Sequence, residues 1–204
     1  DGVESIDWER STVTTHSGRQ TAFDRLVLAT GSRAVVPPVP AAEGVELIAY
    51  RTLDDVERVL ASAQRCRAQG RPIAVIGGGL LGIEAARSFQ RLGIQVVVFE
   101  AASQLLPRQL DAAAAEVLRA ALLDAGLDIR LRRRIVRIES AGEAQSIELD
   151  DGTSCLVGGV VVAAGVRASD ELAGHSGLGC HPRGGVEVDA ALASSRPGVY
   201  AVGE

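Results

Sequence analysis

The stretch between residues 73 and 100 constrains the fold more than any other part of the chain. The apolar run Ile73–Ile76 is followed by the glycine-rich turn Gly77–Gly82, a helix-forming segment at Ile83–Leu92 and a second apolar run at Gln95–Glu100. The two apolar runs have the length and composition of strands that are buried on both faces. The order strand, turn, helix, strand therefore predicts a βαβ unit, and such a unit belongs to a parallel sheet.

The spacing of the glycines in the turn predicts a binding site for a dinucleotide. Gly77 would allow the tight turn from strand to helix, Gly79 would let a pyrophosphate approach the backbone, and Gly82 would let the helix pack closely on the strand. The phosphates would lie at the positive end of the helix. The predicted phosphate-binding residues are Gly77, Gly78, Gly79, Leu80, Leu81 and Gly82.

Glu100, at the end of the second strand, predicts which dinucleotide is bound. A carboxylate there can accept hydrogen bonds from both hydroxyls of the adenosine ribose, whereas it would repel a 2′-phosphate. The next basic residue in the sequence is Arg108, eight positions further on, so we expect NAD(H) to be preferred over NADP(H). Glu84 has two interpretations: its carboxylate could interact with the helix dipole, or it could reach the nicotinamide end of the ligand.

Two more helices are predicted around this unit. Thr52 can cap the first helix and Gly70 can end it, and its apolar stripe consists of Leu53, Val56, Val59 and Leu60. The second is expected from about Asp111 to Asp124, before a third parallel strand at Ile129–Leu131.

The remaining strand signals are short. Turn residues separate runs at 133–139, 145–150 and 153–157, which predicts an antiparallel meander. Buried strands are expected at 160–164 and at 25–29, the latter of the kind that is buried on both faces. Further strands are expected at 12–16, 186–188 and 199–202. We therefore expect an α/β fold: a Rossmann-like domain with a parallel sheet, helices and an antiparallel meander.

Composition excludes several classes of function. The 21 basic and 26 acidic residues give a net charge of −5, which does not favour nucleic-acid binding, and no apolar run reaches the roughly 18 residues of a membrane span. All basic residues are arginine, so the chain has no lysine for a P-loop or a Schiff base. Because the sequence has no methionine and begins at Asp1, we expect it to be a piece of a longer protein.

Cysteine, histidine and arginine clusters give weaker signals. Three cysteines without a C-x-x-C pair are typical of free thiols in a reducing compartment, so we expect a cytoplasmic protein. The group His175, Cys180 and His181 does not have the spacing of a zinc site, and we expect no metal site. No residue stands out as a catalytic acid, base or nucleophile. We expect Arg130, Arg132, Arg133, Arg134 and Arg137 to form a solvated strand edge, with a docking patch for an electron carrier as the alternative.

Five motifs in order resemble the FAD-dependent pyridine nucleotide oxidoreductase family. Residues Phe23–Ser32 resemble its second flavin-contact segment, Pro37–Pro40 its crossing into the NAD domain, and Gly77–Glu84 its NAD fingerprint. Val162–Val166 is similar to the return to the flavin domain, and Tyr200–Glu204 to the closing motif, whose acidic residue contacts FAD.

The resemblance implies a domain organisation: residues 1–44 as a partial FAD-binding segment, 45–166 as the NAD(H)-binding domain and 167–204 as the return segment of the FAD-binding domain. It also implies that Gly165 contacts NAD and that FAD, in the intact protein, contacts Ala29, Thr30, Gly31, Arg33, Gly203 and Glu204. The family's flavin-binding glycine motif would precede Asp1, and its redox-active cysteine pair is missing. We therefore expect this chain alone to bind a nicotinamide dinucleotide but to be inactive and unable to hold FAD.

A finer resemblance is to the large subunits of assimilatory NAD(P)H nitrite reductases, in residues 51–55, 79–82, 109–111 and 168–173. In those proteins a flavin module takes hydride from the nicotinamide and passes electrons to iron–sulfur and sirohaem centres. This implies a role in nitrate assimilation, with an electron-accepting domain or carrier protein as partner. Stand-alone rubredoxin or ferredoxin reductases, NADH oxidases and a non-catalytic dinucleotide-binding module stay open as alternatives. The oligomeric state is also open, with a homodimer as one option.

Overall fold

The computed structural model describes all residues from Asp1 to Glu204. Its strands, in chain order, are β1 (Val3–Asp7), β2 (Thr12–Thr15), β3 (Gln20–Ala22), β4 (Leu26–Leu28), β5 (Ser32–Ala34), β6 (Leu47–Ala49), β7 (Ile73–Ile76), β8 (Val96–Glu100), β9 (Asp128–Leu131), β10 (Ile135–Ala141), β11 (Ala144–Leu149), β12 (Ser154–Val157), β13 (Gly159–Val162), β14 (Val166–Ala168) and β15 (Val199–Ala201). The helices are α1 (Leu53–Gln69), α2 (Leu80–Arg91), α3 (Ala112–Asp124) and α4 (Glu171–His175). None of them is long and apolar enough to cross a lipid bilayer.

The chain divides into two compact units, one formed by residues 1–33 and 166–204 and the other by residues 34–165. The first boundary lies after residue 33, whereas the motifs predicted it after residue 44. The reason is that the proline-rich segment joins the larger unit: the N–H of Ile138 donates to the carbonyl of Pro40 at 2.9 Å, and Val39 packs against the core beside Ile138.

A five-stranded parallel sheet forms the centre of the larger unit, in the order β6-β13-β7-β8-β9. Its central strands consist of apolar residues that are buried on both faces, as the short apolar runs predicted. The α/β fold class is therefore confirmed. The sheet places the carboxyl ends of β13, β7 and β8 side by side, and the glycine-rich turn directly follows β7.

Helix α1 has the predicted ends but a different buried face. Thr52 and Asp55 form a reciprocal capping box, and Gly70 ends the helix with a left-handed backbone. The predicted stripe is wrong in part, because Leu53 is 84% exposed and Leu60 is 45% exposed. The buried face consists instead of Val59, Ser62, Ala63 and Cys66. These mostly small side chains let the helix approach Gly158, directly before β13, and Gly159, its first residue; a Cβ on Gly158 would lie 2.8 Å from the Cys66 sulfur.

The antiparallel meander β10-β11-β12 has the predicted order, and its apolar side packs against one face of the parallel sheet. The basic run does not lie on a single strand, which corrects the sequence interpretation. Arg130 is on β9 and Arg137 is on β10, whereas residues 132–134 form the connection between the two strands. The arginines therefore do not form one continuous strand edge.

The smaller unit contains the antiparallel sheet β1-β2-β3 and two short strand pairs, β14-β5 and β15-β4. Its core consists of Ile6, Leu28, Ala173, Leu178 and Val199. Two expectations are wrong here. Strand β4 is not buried on both faces, because it has a single neighbouring strand and Val27 is 56% exposed. Residues 186–188 form no strand and contribute only an isolated bridge between Val186 and Cys180.

Candidate functional site

Glycine is required at position 77, the first residue of the glycine-rich turn. Gly77 has a φ of +114°, and its N–H donates to the carbonyl of Phe99 at 2.8 Å, which fixes the turn on the end of β8. A Cβ at this position would lie 2.5 Å from the carbonyl oxygen of Ala163 at the end of β13. The turn therefore needs glycine both for its backbone conformation and for its close contact with the neighbouring strand.

Gly79 is the N-cap of α2, and the space in front of it is open. Its backbone is extended, with a φ of −79°, and a Cβ would meet no atom within 4 Å. The first helical hydrogen bond of α2 is donated by Ile83 to the carbonyl of Gly79, so the N–H groups of residues 80–82 have no partner within the helix. Free N–H groups at a helix start facing open space form a site that suits a phosphate.

Gly82 is required by packing rather than by its backbone angles. A Cβ there would lie 3.0 Å from the carbonyl carbon of Gly77 and closer still to its oxygen. The first turn of α2 therefore lies directly against the glycine-rich turn. Glycine is thus favoured at the three positions of the predicted motif for three different physical reasons, and of the three only Gly79 leaves room for a ligand.

The side chain of Glu100 lies beside the turn, at the carboxyl end of β8. One carboxylate oxygen accepts the N–H of Gly78 at 2.7 Å, and the other accepts the N–H of Ala102 at 2.7 Å. These two bonds hold the half-buried carboxylate in one orientation. Since each carboxylate oxygen can accept two hydrogen bonds, both oxygens can still accept a hydroxyl from a ribose. The residues present therefore fit the adenosine half of NAD(H).

The connection after β8 forms part of the site that sequence reasoning did not identify. Leu106 donates its N–H to the carbonyl of Gly78 at 3.1 Å and has a left-handed φ of +48°. Leu105 is buried, and its side chain lies so close to Gly78 that a Cβ on that glycine would be 2.7 Å from it. The connection is thereby folded back onto the turn. Because the left-handed residue is Leu106 and not a glycine, the sequence contained no signal for the contact of this connection with Gly78.

The other predicted NAD-binding residues lie near the same edge of the sheet or on α2. Leu80 and Leu81 are in the first turn of α2 and are 61% and 43% exposed. Glu84 is exposed one turn further along the helix, and no ion pair occupies its carboxylate. Gly165 follows β13 with a φ of +106°, and its carbonyl accepts the N–H of Val35 at 2.9 Å.

The predicted flavin contacts lie in the smaller unit, at the carboxyl ends of the parallel strands β4 and β15. Thr30 follows β4, and its hydroxyl donates to the carbonyl of Ser169 at 2.6 Å. Ser32 donates its hydroxyl to Glu204 at 3.1 Å, which joins the segments after the two strands. A Cβ on Gly31 or on Gly203 would meet no atom within 4 Å.

Of the predicted flavin contacts, Ala29 is open to a ligand, whereas Arg33 already has a partner. Ala29 lies with Thr30 and Gly31 directly after β4, so this segment offers backbone groups beside open space and fits a flavin nucleotide. The guanidinium of Arg33 forms an ion pair with Glu171 instead. The pKa of Glu171 is lowered, first by a hydrogen bond from its own backbone N–H and then by the hydrogen bond and charge of Arg33. Arg33 could contact a flavin only by sharing its guanidinium with this carboxylate.

No three His, Cys, Asp or Glu side chains lie close enough together to hold a metal ion. All three cysteines are free, and burial raises the pKa of each thiol. A cavity of about 450 Å³ lies between α3, β9 and the meander, and no residue of the glycine-rich turn lines it.

Comparison with known proteins extends the similarity to the whole chain. Residues 1–204 match the model of the pyridine nucleotide-disulphide oxidoreductase family. The NAD(P)H nitrite reductase large subunit of Klebsiella oxytoca is 38% identical over 204 residues, covering 100% of this chain and 21% of that protein. The NADH nitrite reductase large subunit of Escherichia coli K12 is 33% identical over 202 residues, covering 98% of this chain and 23% of that protein.

A solved structure shows the same similarity in three dimensions. A ferredoxin reductase from Rhodopseudomonas palustris superposes with a TM-score of 0.89 at 29% identity, covering 98% of this chain and 48% of that one. The chain thus spans about a fifth of the nitrite reductase subunits and about half of the ferredoxin reductase.

Proposed function

Because the chain belongs to the pyridine nucleotide-disulphide oxidoreductase family, we propose that it binds NADH and delivers its hydride to FAD. The proposed setting is the NADH-oxidising module of a nitrite reductase large subunit, in nitrate assimilation. The observation that carries the proposal is the pairing of two features at one sheet edge: an open helix start at Gly79 and the oriented carboxylate of Glu100. Together these features suit a pyrophosphate and the ribose attached to it.

The chain's own residues have separate tasks in this proposal. The free N–H groups of residues 80–82 bind the pyrophosphate, and Glu100 accepts hydrogen bonds from the adenosine ribose. Glu84, on the exposed side of α2, accepts a hydrogen bond from the nicotinamide amide. In the smaller unit Thr30, Gly31, Gly203 and Glu204 bind FAD, which when bound supplies a hydride acceptor and a one-electron donor.

We propose a preference for NADH over NADPH. N–H bonds from Gly78 and Ala102 fix the orientation of the Glu100 carboxylate, so it cannot easily turn away from a 2′-phosphate at the proposed ribose site. Two like charges about 4 Å apart repel by about 4 kcal/mol at the effective dielectric constant of a protein surface. Screening and rearrangement reduce that value, but its sign favours NADH.

A stand-alone ferredoxin reductase is the second candidate, and the ferredoxin reductase from Rhodopseudomonas palustris supports it. In both candidates the FAD held by Thr30, Gly31, Gly203 and Glu204 would supply electrons to an iron–sulfur acceptor. The acceptor is a domain with iron–sulfur and sirohaem centres in the first candidate and a separate carrier protein in the second. Nitrite-dependent oxidation of NADH by the whole protein would support the first, and ferredoxin-dependent oxidation without nitrite reduction would support the second.

The site itself can be tested by calorimetric titration with ADP and with 2′-deoxy-ADP. A hydrogen bond to a charged group contributes about 1.5–3 kcal/mol, so 2′-deoxy-ADP should bind at least about tenfold more weakly than ADP. Glu100→Gln should reduce this difference, whereas the control Glu143→Gln, in the exposed β10-β11 turn, should preserve it. Equal affinity of the wild-type protein for the two nucleotides would contradict the proposed role of Glu100, even if Glu100→Gln failed to fold.

A further inference from the structure

We infer that Arg132 is a specificity-determining residue of the proposed dinucleotide site, where its guanidinium offsets the repulsion between Glu100 and a 2′-phosphate. In the sequence Arg132 is far from Glu100, and Arg108 is the nearest basic residue that follows the carboxylate. The fold changes this relation. The inference rests on the proposed function, because it concerns the same nucleotide site.

The register of the sheet brings the backbone of Arg132 beside the segment that carries the Glu100 carboxylate. Strands β8 and β9 are parallel, and Glu100 is the partner of Leu131, so Arg132 is the first residue beyond the paired end of β9. Its N–H donates to the carbonyl of Ala102 at 3.0 Å, and the N–H of Arg133 donates to the carbonyl of Glu100 at 3.0 Å. The backbone of Arg132 is therefore fixed beside the segment that begins at Glu100.

Two arginines of this connection, Arg132 and Arg134, form no ion pair, and of the two only Arg132 lies beside the residues that follow Glu100, since the backbone of Arg134 is bonded to Asp150. The guanidinium of Arg133 is 2.8 Å from Asp151, and Arg130 is 2.9 Å from Asp128 and lies over the ring of Phe99. Arg132 is exposed and forms no ion pair. It lines a cavity of about 240 Å³ together with Ser103 and Gln104, which belong to the connection directly after Glu100.

A further observation on Arg132 is its strained backbone. Its φ is +55°, a left-handed conformation that a long L side chain rarely adopts. The two backbone hydrogen bonds to residues 100 and 102 impose this conformation. Strained residues that the surrounding structure over-determines are concentrated at ligand sites, which agrees with a role of this side chain in binding.

A guanidinium at this position changes the electrostatics of the 2′ position alone. A 2′-phosphate would meet the negative charge of Glu100 and the positive charge of Arg132 together, whereas a ribose with two hydroxyls makes its main contact with the carboxylate. Arginine forms strong paired hydrogen bonds with phosphate oxygens. The site should therefore accept a 2′-phosphorylated nucleotide with a moderate penalty, and neutralising Arg132 should make the rejection much stronger.

The test compares 2′,5′-ADP with 5′-ADP by calorimetry, and the measured quantity is the ratio of their affinities. Arg132→Gln should lower the relative affinity for 2′,5′-ADP about tenfold while leaving that for 5′-ADP nearly unchanged. Arg132→Gly, which suits the left-handed backbone, should have the same effect. The control Arg134→Gln removes an exposed arginine two residues further on and should leave the ratio unchanged. Higher salt should raise the ratio in Arg132→Gln more than in the wild-type protein, because in the variant it screens the repulsion from Glu100 alone.

Several results would overturn the inference. An affinity ratio that is unchanged in Arg132→Gln would do so, and so would an equal loss of affinity for both nucleotides in that variant. A tenfold fall of the ratio in Arg108→Gln, without a fall in Arg132→Gln, would also overturn it. These outcomes leave 5′-ADP binding in the wild-type protein intact, so the proposed dinucleotide site would stand. If the wild-type protein binds neither nucleotide, the proposed function is wrong and the role of Arg132 is wrong with it.

Discussion

Replacing Gly82 by alanine should destabilise the larger unit, although alanine is the better helix former. The added Cβ would lie 3.0 Å from the carbonyl carbon of Gly77 and closer to its oxygen, and both atoms belong to backbone that cannot rotate away. The first turn of α2 and the glycine-rich turn would therefore have to separate. Gly82 is already in a helical conformation, so the substitution introduces no backbone strain of its own.

The magnitude is the difference between two opposing effects. Overpacking against a well-packed element costs about 1–3 kcal/mol, and a clash with backbone belongs at the upper end of that range. Alanine recovers about 1 kcal/mol relative to glycine through its helix propensity. The free energy of unfolding should therefore fall by about 2 kcal/mol, which corresponds to a decrease in Tm of about 4–8 °C for a chain of this size.

Gly79→Ala is the matched control in the same turn. Its Cβ would meet no atom within 4 Å, and its φ of −79° suits any residue. The stability cost should stay below about 1 kcal/mol, because alanine is only a poorer N-cap than glycine. The same Cβ projects into the space where we propose the pyrophosphate, so affinity for ADP should fall by about tenfold or more.

Calorimetric melting of both variants, followed by titration with ADP, separates the two effects. We expect a large loss of stability for Gly82→Ala and a loss of binding with nearly normal stability for Gly79→Ala. A Tm of Gly82→Ala within about 2 °C of the wild-type value would refute the packing argument. Undiminished ADP binding by Gly79→Ala would refute the assignment of the open space to the phosphates.

Further predictions concern α1, a buried thiol and a second helical glycine. Thr52→Ala removes the acceptor of the Asp55 N–H and should cost about 1 kcal/mol in urea unfolding; an unchanged midpoint would argue against the capping box. Burial opposes ionisation of Asp55, but hydrogen bonds from Thr52 and its neighbours outweigh this and lower its pKa. Its contribution to stability is therefore present above the pKa of the unfolded chain and lost as the pH falls through the folded-state pKa, so Asp55→Asn should flatten the acid limb of a plot of Tm against pH. Cys66 is fully buried and its pKa is raised by burial, so it should react with a thiol reagent only after denaturant is added; rapid labelling of the native protein, located by peptide mapping, would contradict this. Gly174→Ala, in α4 with open space around it, should raise stability by about 0.4–1 kcal/mol, and a lower Tm would show that this helix tolerates no side chain there.

Much of the larger unit could be predicted because its signals are local. The ends of α1 at Thr52 and Gly70 depend on hydrogen bonds between residues a few positions apart, and the structure confirms them. The same holds for the βαβ unit around the glycine-rich turn and for the antiparallel meander. In each case the residues that determine the element are neighbours in the sequence.

Burial was harder to predict, because it depends on which surface each element meets. The periodicity of α1 placed Leu53 and Leu60 on its buried face, yet the structure buries Ser62, Ala63 and Cys66 instead. Gly158, directly before β13, and Gly159, its first residue, set this rotation from a distant part of the chain. Likewise Val27 has the composition of a buried strand residue but is exposed, because β4 has one neighbouring strand.

The dinucleotide motif, the acidic residue at the end of β8 and the elements that carry them could be predicted from the sequence, since they depend on short-range backbone geometry. The surroundings of Glu100 follow from the three-dimensional fold: the N–H groups of Gly78 and Ala102, the folded-back connection at Leu106 and the arginine that follows β9. Parallel strands that are adjacent in a sheet are joined by long crossover connections, so the residues that meet at their carboxyl ends come from distant parts of the sequence. The charge beside the ribose is therefore a property of sheet order and register, and no local pattern encodes it.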